Sequence, residues 1–229
     1  MSKSSKFSLI APGHSRLTSI LSCYNLFGEK LEDIFSRGSM ASTFPQSIPQ
    51  GKIVLTYDDY SLLPNDRNRY EIHDGELSVT PAPATRHQTV LGNLYRFLAN
   101  HVVANQLGKL FIALTDLILA PTTVVQPDLI FIGNDRRQIV TERAIEGSPT
   151  LVIEILSPTT HRTDRVTKAQ LYAKHNVPYY WLIDPDQQTL EAYELVVDHY
   201  DLVASARDAE VFTPSLFPGL SIGLADLWA

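Results

Sequence analysis

Two stretches of this chain, DLIFIG at 128–133 and LVIEIL at 151–156, are apolar on both faces once their acids are set aside. A strand that alternates apolar and polar buries one face; one that is apolar throughout is covered on both, which puts both strands at the centre of a sheet between two layers. Each run carries one acid, Asp128 in the first and Glu154 in the second. Moving an unpaired ionised carboxylate into an apolar interior costs several kcal/mol at least, so such a group is paired, protonated or bound to a metal.

The surrounding punctuation fixes the order of elements. Thr56, followed by Tyr57, Asp58 and Asp59, reads as an N-cap with acids in the first turn of a short helix ending near Pro64. RYEIHDGELSV alternates and turns at Asp74-Gly75, which predicts a hairpin pairing 69–73 with 76–80. Thr85 to about Leu107 is the longest helix, with Val90, Leu94, Phe97, Leu98 and Val102 on its apolar face and His87 and His101 on its polar side. Strands are expected near 109–114, 116–120 and 126–133, then a helical turn at Glu142–Glu146, a strand at 150–156 and a helix from about Thr163 to His175. YYWLIDP at 179–185 and two further strands near 189–196 and 209–213 complete an α/β order, a mixed sheet with helices on both faces.

With 229 residues and 44% hydrophobic content the chain can bury one substantial core. Residues 1–50 are rich in Ser, Gly and Pro and carry one helical stretch, Leu17 to Phe35, with no clear partner; they read as a poorly ordered extension ahead of a working domain at 51–229. A formal net charge of −6 argues against a surface that grips nucleic acid all round, though not against a local basic patch, for which Arg136, Arg137, Arg143, Arg162, Arg165 and Lys174 are candidates. One cysteine, Cys23, permits neither an internal disulfide nor a zinc site built on several thiolates. The first residues lack a signal-peptide core and no apolar run approaches a membrane span, so a cytoplasmic protein is expected, with no membrane partner.

Period-two geometry puts Asp128 on the side of Ile130, and Glu154 on the side of Val152 and Leu156. On adjacent strands the two carboxylates would face each other and repel unless one takes a proton or a cation sits between them. In the helix that follows, Asp164, Lys168 and Tyr172 fall four residues apart on one face, so Lys168 can reach the same cleft. Two acids and a lysine suit a one-metal site for phosphodiester hydrolysis, with Mg²⁺ or Mn²⁺ held by hard oxygen ligands. The blander readings are a local turn bond for Asp128, a buried pair with Arg143 for Glu154, and a solvated pair with Asp164 for Lys168. GLSIG at 219–223 matches a nucleophile-elbow pattern, but no histidine follows Ser221 to complete a triad.

PDLIFI, then VIEILSPTT, then RTDRVTKAQLYAKHNVPYYWLIDP resembles the Uma-two family of proposed bacterial endonucleases, within the PD-(D/E)XK nuclease superfamily. The likeness runs from about Thr56 to the LFPGL segment, and it implies a restriction-endonuclease-like sheet with an N-terminal hairpin. By that resemblance Asp128 is the motif aspartate and Glu154 its second acid. The superfamily lysine is replaced by Leu156 and supplied from the next helix by Lys168. Glu71, in YEIHDG, matches the early acid as a metal or water-shell ligand, and the carbonyl of Ile155 would be a further metal ligand. The implied activity is a Mg²⁺-dependent endonuclease acting on DNA, possible as a homodimer with two sites. The alternatives are a nucleic-acid-binding or interaction module that keeps the fold without turnover, or an enzyme on another phosphate ester such as RNA.

Overall fold

Pro127 removes a ladder donor and Asp128 turns the chain, so the apolar run after them enters its sheet only at Leu129. This corner joins the two sheets that build the molecule. A computed structural model describes residues 53–229 apart from 65 and 67; the extension and helix expected within residues 1–50 lie outside the described residues. In chain order the elements are α1 (Tyr57–Tyr60), β1 (Arg69–His73), β2 (Glu76–Thr80), α2 (Thr85–Ala104), β3 (Gly108–Ile112), β4 (Leu117–Ala120), β5 (Thr123–Val125) and β6 (Leu129–Gly133). After a 3₁₀ segment at Asn134–Ile139 come β7 (Ile145–Glu146), β8 (Leu151–Ile155), a π-helical turn at Thr163–Lys168, α3 (Ala169–Lys174) and β9 (Tyr179–Asp184). The chain closes with β10 (Thr189–Val196), β11 (His199–Arg207), β12 (Val211–Phe212), β13 (Ile222–Gly223) and α4 (Leu224–Trp228).

The larger sheet has the order β11-β10-β9-β8-β6-β3, with β6 and β8 central as their two-sided apolar sequences require. Leu129, Phe131, Leu151 and Ile153 pack on one face against Leu94 and Leu98 of α2 and Leu224 and Leu227 of α4. Ile130, Ile132 and Val152 pack on the other against Tyr172 of α3 and against Leu117, Val125 and Ile145 of the smaller sheet, whose order is β2-β1-β5-β4-β7. The fold is thus the mixed α/β arrangement expected, with helices on both sides of the central strands. The hairpin pairs Arg69↔Thr80 through His73↔Glu76, and its turn residues Asp74 (φ 49°) and Gly75 (φ 88°) both lie in the left-handed region that a type I′ turn demands.

Two local expectations fail, and β5, β11, β13 and α4 go unpredicted. Residues 142–146 form no helical turn: Ile145 and Glu146 instead pair in parallel with Leu117 and Ile118, adding an edge to the smaller sheet. β11 was not foreseen, because it is an edge strand exposed along most of its length, so it lacks the apolar alternation of a half-buried one. The helix after β8 carries a π segment at Thr163–Lys168 rather than running as a uniform α-helix. Among the described residues no helix is long and apolar enough to cross a membrane.

Candidate active site

β6 and β8 are antiparallel neighbours with Leu129 opposite Ile153, so Asp128 and Glu154 occupy the next position in register. Both are buried, at 1% exposure each. Asp128 stands at the corner between β5 and β6, where three donors converge on it. Arg69 Nη2 donates to Oδ1 at 2.9 Å, and Oδ2 lies 3.0 Å from His87 Nε2 and 2.8 Å from the backbone N–H of Ile155. Burial by itself would raise the Asp128 pKa; His87 and Arg69 outweigh it and hold the group below the usual carboxylate range. The local-turn reading of Asp128 is therefore replaced by bonds that reach three other elements.

Alternation along β1 puts Arg69, Glu71 and His73 on one face of the smaller sheet, turned toward this corner. Glu71 is fully enclosed: Oε1 accepts the N–H of Gln126 at 2.8 Å and lies 3.0 Å from Lys168 Nζ, and Oε2 lies 3.1 Å from His73 Nε2. Burial pushes its pKa up, but Lys168, His73 and the Gln126 N–H together pull it well below the ordinary value.

Lys168 ends the π turn and is 3% exposed, so the solvated-helix reading fails. Its ammonium contacts Glu71, Glu154 at 3.1 Å and Asp164 at 3.4 Å. The contact with Glu154 Oε1 is a hydrogen bond, and those with Glu71 and Asp164 are ion pairs. Burial disfavours the charge on Lys168; Glu154, Glu71 and Asp164 overcome that and raise its pKa. The widened turn brings Asp164 and Lys168, one turn apart, to the same spot, a use often made of π turns at functional sites. Tyr172 donates to Glu154 Oε1 at 2.6 Å, so it both packs in the core and contacts the site. Arg143, the partner considered for Glu154, is instead exposed and bonded to Glu146 at 3.0 Å.

Glu71, Asp128, Glu154 and Asp164 thus share two permanent cations, Lys168 and Arg69, in a nearly dry interior. The shortage of positive charge falls on Glu154. Burial first, and then the charges of Asp164, Asp128 and Glu71, push its carboxyl up to about 8, although Lys168 pulls the other way. Burial also raises Asp164, whose Oδ1 has no hydrogen-bond partner among the described residues. Hard oxygen donors and a deficit of positive charge both suit a divalent ion. Among the described residues, however, no group of three or more His, Cys, Asp or Glu side chains is arranged to hold a metal as it stands. An ion here would rest on Asp128, Glu154, the Ile155 carbonyl and water, within the sparse coordination Mg²⁺ accepts. Glu71, with both oxygens engaged, stands beside that set.

Two site residues escaped the sequence reading. His87, expected on the polar side of its helix, is buried and bound to Asp128, because α2 starts directly over the corner. Arg69 went unremarked, although a charge two residues before Glu71 on an alternating strand was the available signal. Of the six basic residues considered as a phosphate-tracking patch, Arg136 bonds the Ser148 carbonyl, Arg143 bonds Glu146, Arg165 bonds Glu191 and Lys174 bonds Asp74, so most of their charge is engaged locally.

The mixed α/β fold is restriction-endonuclease-like, and its central strands set two acids at adjoining positions with a lysine from the next helix between the sheets. The chain belongs to the Uma2 family, described as "Putative restriction endonuclease", which matches residues 57–225. It is also similar in fold to a crystal structure described as a "putative nuclease belonging to DUF820" from Anabaena variabilis ATCC 29413, at 22% identity and a TM-score of 0.62 over 76% of this chain and 97% of that one. No curated protein matches the chain.

Proposed function

We propose that this protein is a divalent-metal-dependent nuclease that hydrolyses phosphodiester bonds of DNA. The observation that carries the reading is the shared ammonium of Lys168 between Glu154 and Glu71, next to Asp128, in a chain of a family described as "Putative restriction endonuclease". Asp128 and Glu154, with the Ile155 carbonyl, hold Mg²⁺ or Mn²⁺. Bound there, the ion supplies Lewis acidity and positive charge. Lys168, kept charged by its acids, acts as a donor: it orients the attacking water and offsets charge gathering on the phosphate oxygens. Tyr172 fixes the Glu154 carboxylate, and His87, Arg69 and the Ile155 N–H fix that of Asp128, so little reorganisation is left for the reaction. Glu71 anchors the ammonium from the side of the hairpin.

Purified full-length protein with Mg²⁺ or Mn²⁺ is expected to nick supercoiled plasmid and cut labelled duplex DNA, with chelator, Asp128→Ala or Glu154→Ala abolishing the reaction. Equal cleavage by wild type and both variants would defeat the assignment, and a parallel RNA substrate separates the two nucleic acids. Cutting both strands of a duplex is served by a homodimer with two sites, which light scattering tests. A second reading, a nucleic-acid-binding module without turnover, draws on the acidic net charge of −6 and on Leu156 standing where the superfamily lysine would be. DNA binding without heat of metal uptake in calorimetry favours it.

A further inference from the structure

Arg69 is the most accessible ionised group of the site: its side chain is 14% exposed, against 2% for Asp128, Glu71 and Glu154 and 4% for Lys168. A guanidinium has five N–H donors in a planar fork. Among the described residues only one bond is made by that fork, from Nη2 to Asp128 Oδ1 at 2.9 Å. The other donors sit in the field of Glu154 and Glu71, whose charges add to that of Asp128 in holding the guanidinium charged against its burial. Asp128, by contrast, has three of its roughly four lone-pair positions engaged by Arg69, His87 and Ile155, which leaves one for an ion.

We infer that Arg69 contacts the phosphate that is cut, an inference resting on the nuclease reading above. One edge of the fork stays on Asp128, which fixes its plane, while the free edge donates to a non-bridging phosphate oxygen beside the ion that Asp128 and Glu154 hold. Planar two-point donation to phosphate is the geometry for which arginine exceeds lysine. The arrangement also explains why a strongly charged residue lies at the start of the hairpin strand: β1 brings Arg69 from the smaller sheet to an acid of the larger one, so substrate phosphate, ion and motif acid meet at one seam. Four buried acids would repel a polyanion. Arg69, the more exposed of the two cations, offsets part of that charge where a phosphate would approach.

Two variants separate substrate contact from a merely structural counter-ion. Arg69→Gln keeps a donor for Asp128 without charge, and Arg69→Lys keeps the charge without the fork. Equilibrium binding of a labelled DNA duplex in Ca²⁺, followed by anisotropy across a salt series, and single-turnover cleavage in Mg²⁺ are measured on the full chain, with melting temperature as a folding control. The Gln variant is expected to bind at least tenfold more weakly, its log–log salt slope shallower by about 0.9, the loss of one phosphate contact. The Lys variant is expected to keep the slope and lose about tenfold or more in cleavage rate. If either variant, folded, binds and cuts as wild type does, or if only the melting temperature moves, Arg69 is a structural counter-ion and the inference falls while the nuclease stands. Salt-sensitive binding that depends on Arg69 in a protein that cuts nothing would retain the phosphate contact and overturn the nuclease.

Discussion

The ammonium of Lys168 lies 3.0 Å from the Glu71 carboxylate, a buried ion pair between the helical segment that follows β8 of the six-stranded sheet and the hairpin strand of the five-stranded one. Removing one partner of such a pair leaves the other charge without compensation in a low dielectric. Lys168→Met is therefore expected to destabilise the fold by about 3–5 kcal/mol, far more than a surface substitution. Adding Glu71→Gln should recover part of this, with a coupling of about 1–3 kcal/mol in a double-mutant cycle followed by urea unfolding. Strict additivity would show that the pair is not a unit.

The Glu154 carboxyl, raised to about 8 in the folded chain from an ordinary 4.5, sets a pH dependence of defined sign. Between these values the unfolded chain has lost the proton that the folded chain still holds, so the folded state binds more protons and stability declines as pH rises through this window. Glu154→Gln cannot titrate. Its stability relative to wild type should climb from about pH 4.5 to pH 8 and then level off. Glu71 works oppositely: its lowered pKa contributes stability that is present above the ordinary carboxyl value and is lost only on strong acidification. Urea midpoints over this range test the pair, and parallel profiles for wild type and Glu154→Gln would refute the shift.

Loss of the imidazole nitrogen at His87 should act through Asp128. His87→Phe removes one of its three donors and is expected to cost about 1–3 kcal/mol, and to lower kcat more than it raises KM. His87→Gln, whose amide can donate, should restore part of both. A variant at this position that melts lower yet turns over normally would confine the histidine to packing.

The hairpin turn offers a test remote from the charges. Gly75→Ala places a Cβ at φ 88° and 2.5 Å from Val54 Cγ1, so a loss of about 1–2 kcal/mol is expected from the backbone alone. Gly75→Asn should cost less, since asparagine tolerates the left-handed region. Because β1 carries Arg69 and Glu71, cleavage is expected to fall along with melting temperature.

Legibility in the sequence followed the strength of the local signal. The two-sided apolar runs around Asp128 and Glu154 gave the centre of the sheet, and Asp74-Gly75 gave the hairpin with its register, because each depends on neighbours in sequence. Lys168 was placed in the cleft from helical spacing, and the structure puts it there through a wider turn than that spacing assumed. His87 and Arg69 were missed for one shared reason: their partner, Asp128, is remote along the chain, and the corner at Gln126–Asp128 that gathers all three exists only after the sheets dock. The edge strand His199–Arg207 left too little apolar patterning to be read.

Because the centre straddles a seam, neither half owns a complete set of its parts. A chain still emerging from the ribosome carries Arg69 and Glu71 before the acids of 128 and 154 have been added, and one whose hairpin layer has peeled away keeps those acids without the arginine and glutamate that face them across the gap. Under the proposed function neither incomplete form is expected to cut a phosphate backbone, so activity would arrive only with the completed architecture.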